Sequence, residues 1–288
     1  MPITGSTRML GLIGTPVEHS KSPMMYNYCF LKYGLDCAYL AFDIPEAEAG
    51  KAVQAMRTLN MRGANVTMPC KSAVLPYLDE LTPAARAIGA VNTIVNDGGK
   101  LTGHNTDGFG YTENLRRHGV SVRGKKIVLR GGGGAATAIA AQAALEGAGE
   151  LLVFNLKDAF WPRLEQSMER IREAAPGCKI TLHDLGDTEE LRRAIAGADI
   201  LSNATRVGMD PNRDGCLIPE KSWLRPELVV TDVVYAPPET KLLHMAQEVG
   251  CETCDGLGML LCQGAEAFRL YSGLEMPVEE IRTILYGN

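Results

Sequence analysis

A glycine cluster joins a short apolar run to an alanine-rich segment between residues 125 and 138. Gly131, Gly133 and Ala136 satisfy the spacing G-x-G-x-x-G/A, which allows a tight turn and brings backbone N–H groups against a diphosphate. The positive end of the helix dipole then faces the phosphates. Gly134-Ala135-Ala136 excludes a Walker-type loop, which needs Gly-Lys-Ser/Thr. The pattern favours dinucleotide binding over a purely steric use of glycine.

Two ionisable side chains are candidates for proton transfer. Lys71 follows a predicted strand and a proline-enforced bend, and we expect it to begin a short helix, where a purely structural lysine would be disfavoured. That position suits proton transfer near neutral pH, while a solvated loop lysine explains this segment equally well. Asp107 follows Thr106 in the first turn of another predicted helix, where partnering the helix dipole is a sufficient explanation for an acid.

Polar side chains recur at or just after the ends of predicted strands in the first 120 residues. An α/β sheet builds its binding crevice at the carboxyl ends of its strands, so these side chains should converge. Together they offer hydroxyl and amide groups, one cation and one anion, which suits a neutral polyol that carries one carboxylate. The set comprises Ser20, Ser22, Asn65, Thr67, Lys71, Asn92, Thr93, Thr106 and Asp107.

The segment Asn155-Leu156-Lys157-Asp158 follows the second strand of the predicted nucleotide-binding region and should lie near the adenosine ribose. Asp158 can accept a hydrogen bond from a free 2′-hydroxyl and would repel a 2′-phosphate. Lys157 acts in the opposite sense, although lysine is a weaker phosphate clamp than arginine. Asp158 can also cap the following helix. The segment favours NAD as cofactor, with NADP as the alternative.

Two more strand ends and a C-terminal helix add candidates. Thr205 ends one predicted strand and Asp232-Val233 ends another, with Tyr235 close behind, so each can reach a cofactor or act as an ordinary loop cap. Gln263 is a lone amide on an otherwise apolar helix face. A buried glutamine must find a partner, and a ligand hydroxyl or a neighbouring loop would both serve.

Composition excludes several classes of protein. The 288 residues suffice for two domains, and no apolar run approaches the ~20 residues of a membrane span. A net charge of −5 without a Lys/Arg block argues against nucleic acid as a partner. The N-terminus lacks the apolar stretch of a secretory signal, which predicts a cytoplasmic protein. The eight cysteines include one C-x-x-C, Cys251 and Cys254, with no second half of a zinc site, so we expect reduced core thiols and no metal.

The order of predicted elements indicates an α/β protein of two domains, an N-terminal α/β domain and a doubly wound Rossmann-type domain. The first region predicts strands over 9–14, 37–42, 63–66 and 91–95, with helices over 22–33, 47–59 and 106–118. There Ser22 is expected as N-cap before Pro23. The second predicts strands over 126–130, 151–155, 178–182, 199–203 and 228–233, helices over 134–147, 158–174 and 187–196, and C-terminal helices over 256–272 and 277–285. We assign the first domain to 1–115, completed by 257–288, and the second to 116–256.

Taken together, the motifs resemble those of the shikimate dehydrogenase family over nearly the whole chain. Several short segments resemble those of its quinate/shikimate dehydrogenase branch, including Met61-Arg62-Gly63 and Asp79–Ala85. The matching blocks are Ser20–Pro23, Asn65–Pro69 with Lys71, Gly89–Thr93, Asn105–Gly108, Gly131–Ala138, Asn203–Thr205 with Gly208-Met209, Asp255–Met259 and Gln263–Ala265.

The resemblance implies reversible hydride transfer between a nicotinamide and C3 of a cyclohexene or cyclohexane carboxylate. Lys71 would exchange a proton with the reacting oxygen, and Asp107 would orient Lys71 and hold a ring hydroxyl. Ser20 and Ser22 would bind the carboxylate, and Tyr235 would lie near the nicotinamide and substrate. Ring hydroxyls would be bound by Asn65, Thr67, Asn92, Thr106 and Gln263. The cofactor would contact Gly131, Gly132, Gly133, Gly134, Ala135, Asn155, Leu156, Lys157, Asp158, Thr205, Asp232, Val233, Gly256 and Met259.

Two departures from the family pattern bear on the cofactor. NADP-preferring relatives carry Asn-Arg-Thr and a further basic residue after the second strand, whereas this chain has Leu156 in place of the arginine, followed by Asp158. Gly132 stands where alanine is usual, which should merely loosen the loop. Asn65 and Thr67 match the shikimate-specific pattern rather than that of relatives that take two substrates.

The expected function is therefore an NAD-dependent dehydrogenase of shikimate, with quinate as a second substrate to be tested. One alternative is a related dehydrogenase of an amino-shikimate or another cyclic hydroxy acid. Another is a nucleotide-binding regulatory protein without turnover. We expect a small-molecule substrate as the partner, no membrane, and a homodimer as the oligomer to be considered.

Overall fold

The computed structural model describes residues 3–287, whose backbone hydrogen bonds form two separate six-stranded sheets. Each sheet belongs to its own compact unit. The first unit runs through Thr106 and resumes at Gln263, and the second comprises Asp107–Cys262. The α/β fold class with two sheet domains predicted from the sequence is confirmed. Among the described residues, no helix has both the length and the apolar character to cross a membrane.

The sheet of the first unit is mixed. Its strands are β1 Arg8–Gly14, β2 Cys37–Asp43, β3 Gly63–Val66, β4 Glu80–Leu81, β5 Thr93–Asp97 and β6 Lys100–His104, in the order β2-β1-β3-β5-β6-β4. Strand β1 is parallel to β2 and β3, while β5 is antiparallel to β3 and β6. Helices α1 Ser22–Lys32, α2 Ala49–Thr58 and α3 Pro83–Ile88 complete this part of the chain.

Strand β3 is the centre of the first unit, and all four of its residues are buried. Its register pairs Asn65 with Leu12 on one side and with Thr93 on the other. Ala64 and Val66 pack into an apolar core with side chains from β1, α2 and β5. The alternation of a strand then turns Asn65 to the opposite face, so a polar side chain enters the interior where the strand ends.

The sheet of the second unit is entirely parallel. Its strands are β7 Lys126–Arg130, β8 Glu150–Asn155, β9 Lys179–Asp184, β10 Ile200–Asn203, β11 Val229–Asp232 and β12 Thr253–Cys254, in the order β12-β11-β10-β7-β8-β9. The associated helices are α4 Asp107–Arg117, α5 Gly134–Leu145, α6 Trp161–Ala174, α7 Thr188–Ala196 and α8 Lys241–Val249. Helix α9, Gly256–Ser272, begins in this unit and ends in the first, to which α10, Val278–Tyr286, also belongs.

Strand β7 pairs with β8 on one side and β10 on the other, so the strand order reverses direction at β7. Its residues 127–129 are fully buried, as expected for a central parallel strand covered on both faces. Ligands of doubly wound sheets bind beyond the carboxyl ends of the strands at such a reversal. The glycine cluster follows β7 at that point.

The structure corrects three sequence-based expectations in the first unit. Helix α1 begins at Ser22 itself and its N-cap is Lys21, so Ser22 does not cap the helix. The strand predicted over 91–95 is displaced to Thr93–Asp97 because it forms a hairpin with β6 around Gly98 and Gly99, both at positive φ. No helix begins at Lys71, which lies in a series of turns ahead of a 3₁₀ segment over Leu75–Tyr77.

Helices α3 and α8 and strands β4 and β6 were not predicted. Helix α8 nevertheless carries a clear start signal, because Thr240 at its N-cap accepts a hydrogen bond from the Leu243 N–H at 3.4 Å. Its end is equally regular, with Gly250 in the left-handed conformation at the C-cap.

Candidate active site

A relay of hydrogen bonds connects buried polar side chains in the first unit. The Tyr39 hydroxyl donates to Asn65 Oδ1 at 2.8 Å, and Asn65 Nδ2 donates to Thr93 Oγ1 at 3.2 Å. Thr93 Oγ1 then donates to Asn92 Oδ1 at 3.1 Å. The first step spans β1, which lies between β2 and β3, and the later steps join paired strands or adjacent residues. The relay therefore depends on the register of β1, β2, β3 and β5.

The relay continues from the sheet to two further segments. Asn92 Nδ2 donates to Thr106 Oγ1 at 3.0 Å, and the Thr106 N–H donates back to Asn92 Oδ1 at 2.8 Å. Thr106 Oγ1 donates to Gln263 Oε1 at 3.4 Å. The structure therefore brings together four predicted substrate-binding residues. We call the set Tyr39, Asn65, Thr93, Asn92, Thr106 and Gln263 the polar relay.

Asn65 is the most constrained member of the polar relay. It is 6% exposed, and its Nδ2 also donates to the Asn92 carbonyl at 3.3 Å. Both amide hydrogens are therefore used within the protein, and Oδ1 already accepts from Tyr39. Only the second lone pair of Oδ1 is left for a ligand hydroxyl.

Lys71 is held near the polar relay through its backbone. Its carbonyl accepts from the Val91 N–H at 2.9 Å, one residue before Asn92. The next residue, Ser72, donates through Oγ to the Gly89 carbonyl at 3.2 Å. The turns that carry the predicted acid–base lysine are thus fixed to the segment that carries Asn92.

Ser20, Ser22 and Thr67 also lie in the first unit. The Ser22 N–H donates to Ser20 Oγ at 3.2 Å, and Lys21 Nζ between them donates to the Leu285 carbonyl of α10 at 2.6 Å. Thr67 follows β3, and its N–H donates to the Ile13 carbonyl at 2.8 Å. Thr67 directly follows β3, as the sequence predicted, whereas Ser20 and Ser22 lie six and eight residues beyond the end of β1.

The tyrosines that support the polar relay were not predicted from the sequence. Burial raises the pKa of Tyr39 far above its usual range, so its hydroxyl stays protonated and acts as a fixed donor to Asn65. The Tyr26 ring is tilted by 30° against the Tyr39 ring, with centroids 4.6 Å apart. The Tyr26 hydroxyl donates to the Gly264 carbonyl at 3.2 Å, next to Gln263. A tyrosine inside an apolar strand or helix looks like ordinary core, so no sequence signal marked them.

The glycine cluster forms an open cradle at the start of α5. Gly131 has φ +124°, and a Cβ there would lie 2.7 Å from the Ala204 carbonyl oxygen, so this position requires glycine. Gly133 is the N-cap of α5, and a Cβ added at Gly133 or at Gly134 would meet no atom within 4 Å. First-turn N–H groups face this space without a capping side chain, with Ala135 following in the helix, which suits the diphosphate of a dinucleotide.

Gly132 is more constrained than the sequence suggested. A Cβ there would lie 2.8 Å from Leu164 Cδ2 and 2.9 Å from Asn155 Cγ. The glycine therefore allows close packing between the loop, the end of β8 and α6, which the sequence analysis did not anticipate.

The segment from Asn155 to Asp158 turns away from β8 before α6 begins. Asp158 Oδ1 accepts from the Phe160 N–H at 2.9 Å, whereas the N-cap of α6 is Phe160 itself, so Asp158 is not the helix cap. Lys157 Nζ lies 5.4 Å from the centroid of the Trp161 ring. Leu156 is 56% exposed.

Asp232 is the centre of a buried network at the ends of β10 and β11. Its carboxylate accepts from Asn203 Nδ2 at 2.8 Å, from Thr240 Oγ1 at 2.7 Å and from the Val234 N–H at 3.0 Å. Burial raises its pKa from 3.8 to about 6 despite these donors. The side chain is directed inward, so only the backbone here is suited to a ligand.

The other predicted cofactor contacts lie close to these strand ends. Asn203 Oδ1 accepts from the Thr205 hydroxyl at 2.7 Å, which places Thr205 beside Gly131. A Cβ at Gly256 would lie 2.4 Å from the Val233 carbonyl, so the start of α9, which includes Met259, packs directly on the end of β11. Tyr235 follows and is 43% exposed.

Lys71 belongs to the first unit and Asp107 to the second, where it is the first residue of α4. Their catalytic pairing stays a prediction. Within residues 3–287, no group of three or more His, Cys, Asp or Glu side chains is arranged to hold a metal ion. All eight cysteines are thiols, and Cys251 and Cys254 are buried.

Comparison with known proteins identifies two family segments. Residues 12–94 match the "Shikimate dehydrogenase substrate binding domain" and residues 256–286 match the "Shikimate 5'-dehydrogenase C-terminal domain". The chain is 51% identical over 284 residues to a protein of Listeria monocytogenes serotype 4b named "Shikimate dehydrogenase (NADP(+))", covering 99% of this chain and 97% of that one. It is 48% identical to a Streptococcus uberis protein of the same name, covering 99% and 98%.

Two solved structures extend the comparison to the fold. A Listeria monocytogenes shikimate 5-dehydrogenase in complex with shikimate and NAD matches with a TM-score of 0.96 at 50% identity, over 99% of both chains. A Corynebacterium glutamicum quinate dehydrogenase in complex with NAD matches with a TM-score of 0.85 at 34% identity, over 96% of this chain and 97% of that one.

We expect Gly132→Ala and Gly133→Ala to separate stability from nucleotide binding. Gly132→Ala should lower the free energy of unfolding by about 1–3 kcal/mol, because its methyl group collides with Leu164 and Asn155. Gly133→Ala should leave stability within about 0.5 kcal/mol, because its φ of −82° suits alanine, yet should weaken NAD binding about tenfold by filling the cradle. Thermal unfolding of the unliganded protein and calorimetric titration with NAD test both; equal effects of the two variants on either quantity would contradict this account.

Asp232→Asn should change the pH dependence of stability. The folded-state pKa of about 6 exceeds the unfolded value of 3.8, so the stabilisation from this group is fully present below pH 3.8 and is lost as the pH rises through 6. Between pH 4.5 and 7.5 the wild type should lose about 2 kcal/mol relative to the variant, which cannot titrate. Urea unfolding at both pH values measures the difference, and parallel curves would contradict the buried-acid account.

Proposed function

The chain belongs to the shikimate dehydrogenase family, and from that premise we propose that it interconverts shikimate and 3-dehydroshikimate with NAD as the favoured cofactor. It is an oxidoreductase that acts on a CH–OH group with a nicotinamide nucleotide. The relatives' own names associate this activity with NADP(+), and the matching Listeria structure holds shikimate and NAD. We assign the substrate to the first unit and the nucleotide to the second.

The polar relay is the observation that carries the proposal. It ends in the side chains of Thr106 and Gln263, and its direction is set from the buried Tyr39 hydroxyl outward. A relay of fixed donors and acceptors can distinguish the hydroxyls of a polyol ring from an apolar ring of the same size. Ser20 and Ser22, at the start of α1, would bind the carboxylate through hydroxyl and backbone N–H groups.

Lys71 and Asp107 have different roles in the proposed acid–base step. In the oxidation, the Lys71 amine takes the proton of the C3 hydroxyl while the electron pair of the C3–H bond leaves with the hydride. In the reduction, the ammonium returns that proton to the ketone oxygen. Asp107 orients the lysine and accepts from a ring hydroxyl. The bound nicotinamide supplies the hydride acceptor or donor.

The second unit holds the nucleotide through its backbone. The cradle of Gly133 and Gly134 and the positive end of α5 suit the diphosphate, and the end of β8 suits the adenosine ribose. NAD preference rests on Asp158, whose carboxylate would accept from a free 2′-hydroxyl. Lys157 Nζ lies 5.4 Å from the centroid of the Trp161 ring, so this cation already has a partner within the chain.

Quinate is the second substrate to test, because it carries the same carboxylate on a saturated ring with hydroxyl groups. The matching Corynebacterium enzyme is named for it. Steady-state kinetics with shikimate and quinate against both NAD and NADP would define the substrate and the cofactor together.

Lys71→Ala should lower kcat for shikimate oxidation by about 10²–10⁴-fold, because the proton acceptor is removed while the groups that bind the ring remain. KM should change far less than kcat. Lys51→Ala is the matched control, since the Lys51 side chain is 80% exposed on α2. Wild-type turnover in Lys71→Ala would remove this lysine from the mechanism.

Asp158→Asn should raise the kcat/KM ratio of NADP over NAD about tenfold, because the carboxylate charge that repels a 2′-phosphate is lost. Asparagine can still accept from the Phe160 N–H, so the turn is retained. Asp187→Asn is the control, because Asp187 accepts the Glu190 N–H at 2.9 Å at the start of α7. An unchanged ratio in Asp158→Asn would contradict the assigned role.

A further inference from the structure

Arg130 is the last residue of β7 and immediately precedes the glycine cluster. Its side chain is buried, at 7% exposure for the residue, and its Nη1 donates to the Leu217 carbonyl. Within residues 3–287 this is its only side-chain hydrogen bond, and the buried Nε has no partner. The Nε and Nη2 groups form the side-on fork of a guanidinium, which matches two oxygens of a phosphate.

The charge of Arg130 also has no counterion in the described part of the chain. No carboxylate lies within ion-pair distance, and burial lowers the pKa of the guanidinium to about 10. At that pKa the group is still a cation at neutral pH. A buried cation is unfavourable unless an anion or several acceptors compensate it, and one backbone carbonyl supplies only part of that.

The position of Arg130 points to the adenosine side of the nucleotide. It is in register with Phe154 on β8, one residue before Asn155, and with Asn203 on β10. Alternation along β7 and β8 puts Arg130 on the same sheet face as Val128 and Phe154, in a core that includes Leu217 but no residue of α5. The diphosphate cradle belongs to α5, so Arg130 lies on the other face, beside the strand that ends at the ribose.

We propose that the Arg130 guanidinium binds the 2′-phosphate of NADP through Nε and Nη2, so that the chain uses NADP as well as NAD. This inference rests on the proposed nicotinamide-nucleotide function. It places the phosphate-binding cation at the end of β7 rather than after β8, where Leu156 and Asp158 stand. Asp158 then favours the binding of NAD and Arg130 favours the binding of NADP. Their combined effect sets the ratio of the two affinities.

A role only in ordering the loop is insufficient to explain Arg130. The bond to Leu217 needs one N–H donor, whereas a guanidinium brings five N–H donors and a full charge into a site lined by Phe154 and Leu217. A methionine or leucine would fill similar volume without the cost of burying a charge. The unpartnered Nε and the uncompensated charge are what a ligand anion would satisfy.

The experiment measures binding rather than turnover. Dissociation constants of NAD, NADP, 2′,5′-ADP and 5′-AMP are determined by calorimetry for the wild type, Arg130→Met, Arg130→Lys and the control Arg192→Met, an exposed residue of α7. Arg130→Met should weaken NADP and 2′,5′-ADP about 10–100-fold while NAD and 5′-AMP change less than about twofold. Arg130→Lys should recover part of the loss, because it keeps the charge without the fork.

Equal weakening of NAD and NADP in Arg130→Met would overturn the proposal, because a loop-ordering role predicts that result. Unchanged affinities would overturn it too. Should Arg130→Met fail to fold, the ratio of NADP to NAD affinity in Arg130→Lys decides, because lysine lacks the fork and should lower that ratio relative to the wild type. A wild type that binds neither NAD nor NADP would instead refute the proposed function, independently of Arg130.

Discussion

A buried polar group must find a hydrogen-bond partner, and in the first unit this requirement ties together five parts of the chain. Strands β2, β3 and β5, the segment before α4 and helix α9 each contribute at least one side chain to the polar relay. A one-residue slip of β3 would turn Asn65 away and leave Tyr39 and Thr93 without their partners. The same contacts therefore fix the register of the sheet and the geometry of the candidate substrate site.

The second unit meets a different constraint, the close approach of backbone to backbone. Gly131 packs against the Ala204 carbonyl and Gly256 against the Val233 carbonyl, so β7, β10, β11 and α9 converge without intervening side chains. This leaves the N–H groups at the start of α5 accessible, since no side chain fills the cradle. The hydrogen bonds of Asp232 to Asn203 and Thr240 hold the ends of β10 and β11 and the start of α8 together. The proposed nucleotide site therefore depends on a backbone approach that requires glycine at Gly131 and Gly256.

Much of this architecture could be predicted from sequence because it depends on local patterns. The strand at 126–130 and the glycine spacing indicated the nucleotide-binding turn, and strand 63–66 placed Asn65 correctly. Lys71 was misplaced, because the helix expected there depended on a proline bend whose continuation is set by contacts to Val91 and Gly89. Tyr39 and Arg130 were missed because burial and missing partners are properties of the folded chain.

The roles proposed for Arg130 and Asp158 would divide the cofactor preference between residues far apart in sequence. The electrostatic potential at the ribose is the sum of the contributions from nearby charges. A buried cation contributes more per charge than an exposed carboxylate, because solvent and salt screen it less. Leu156 and Asp158 alone would favour NAD over NADP. On the proposal, Arg130 would add a positive contribution from the end of the neighbouring strand, and an anion would compensate its buried charge. A phosphate-bearing ligand should therefore gain affinity from a charge that is costly in the unliganded fold.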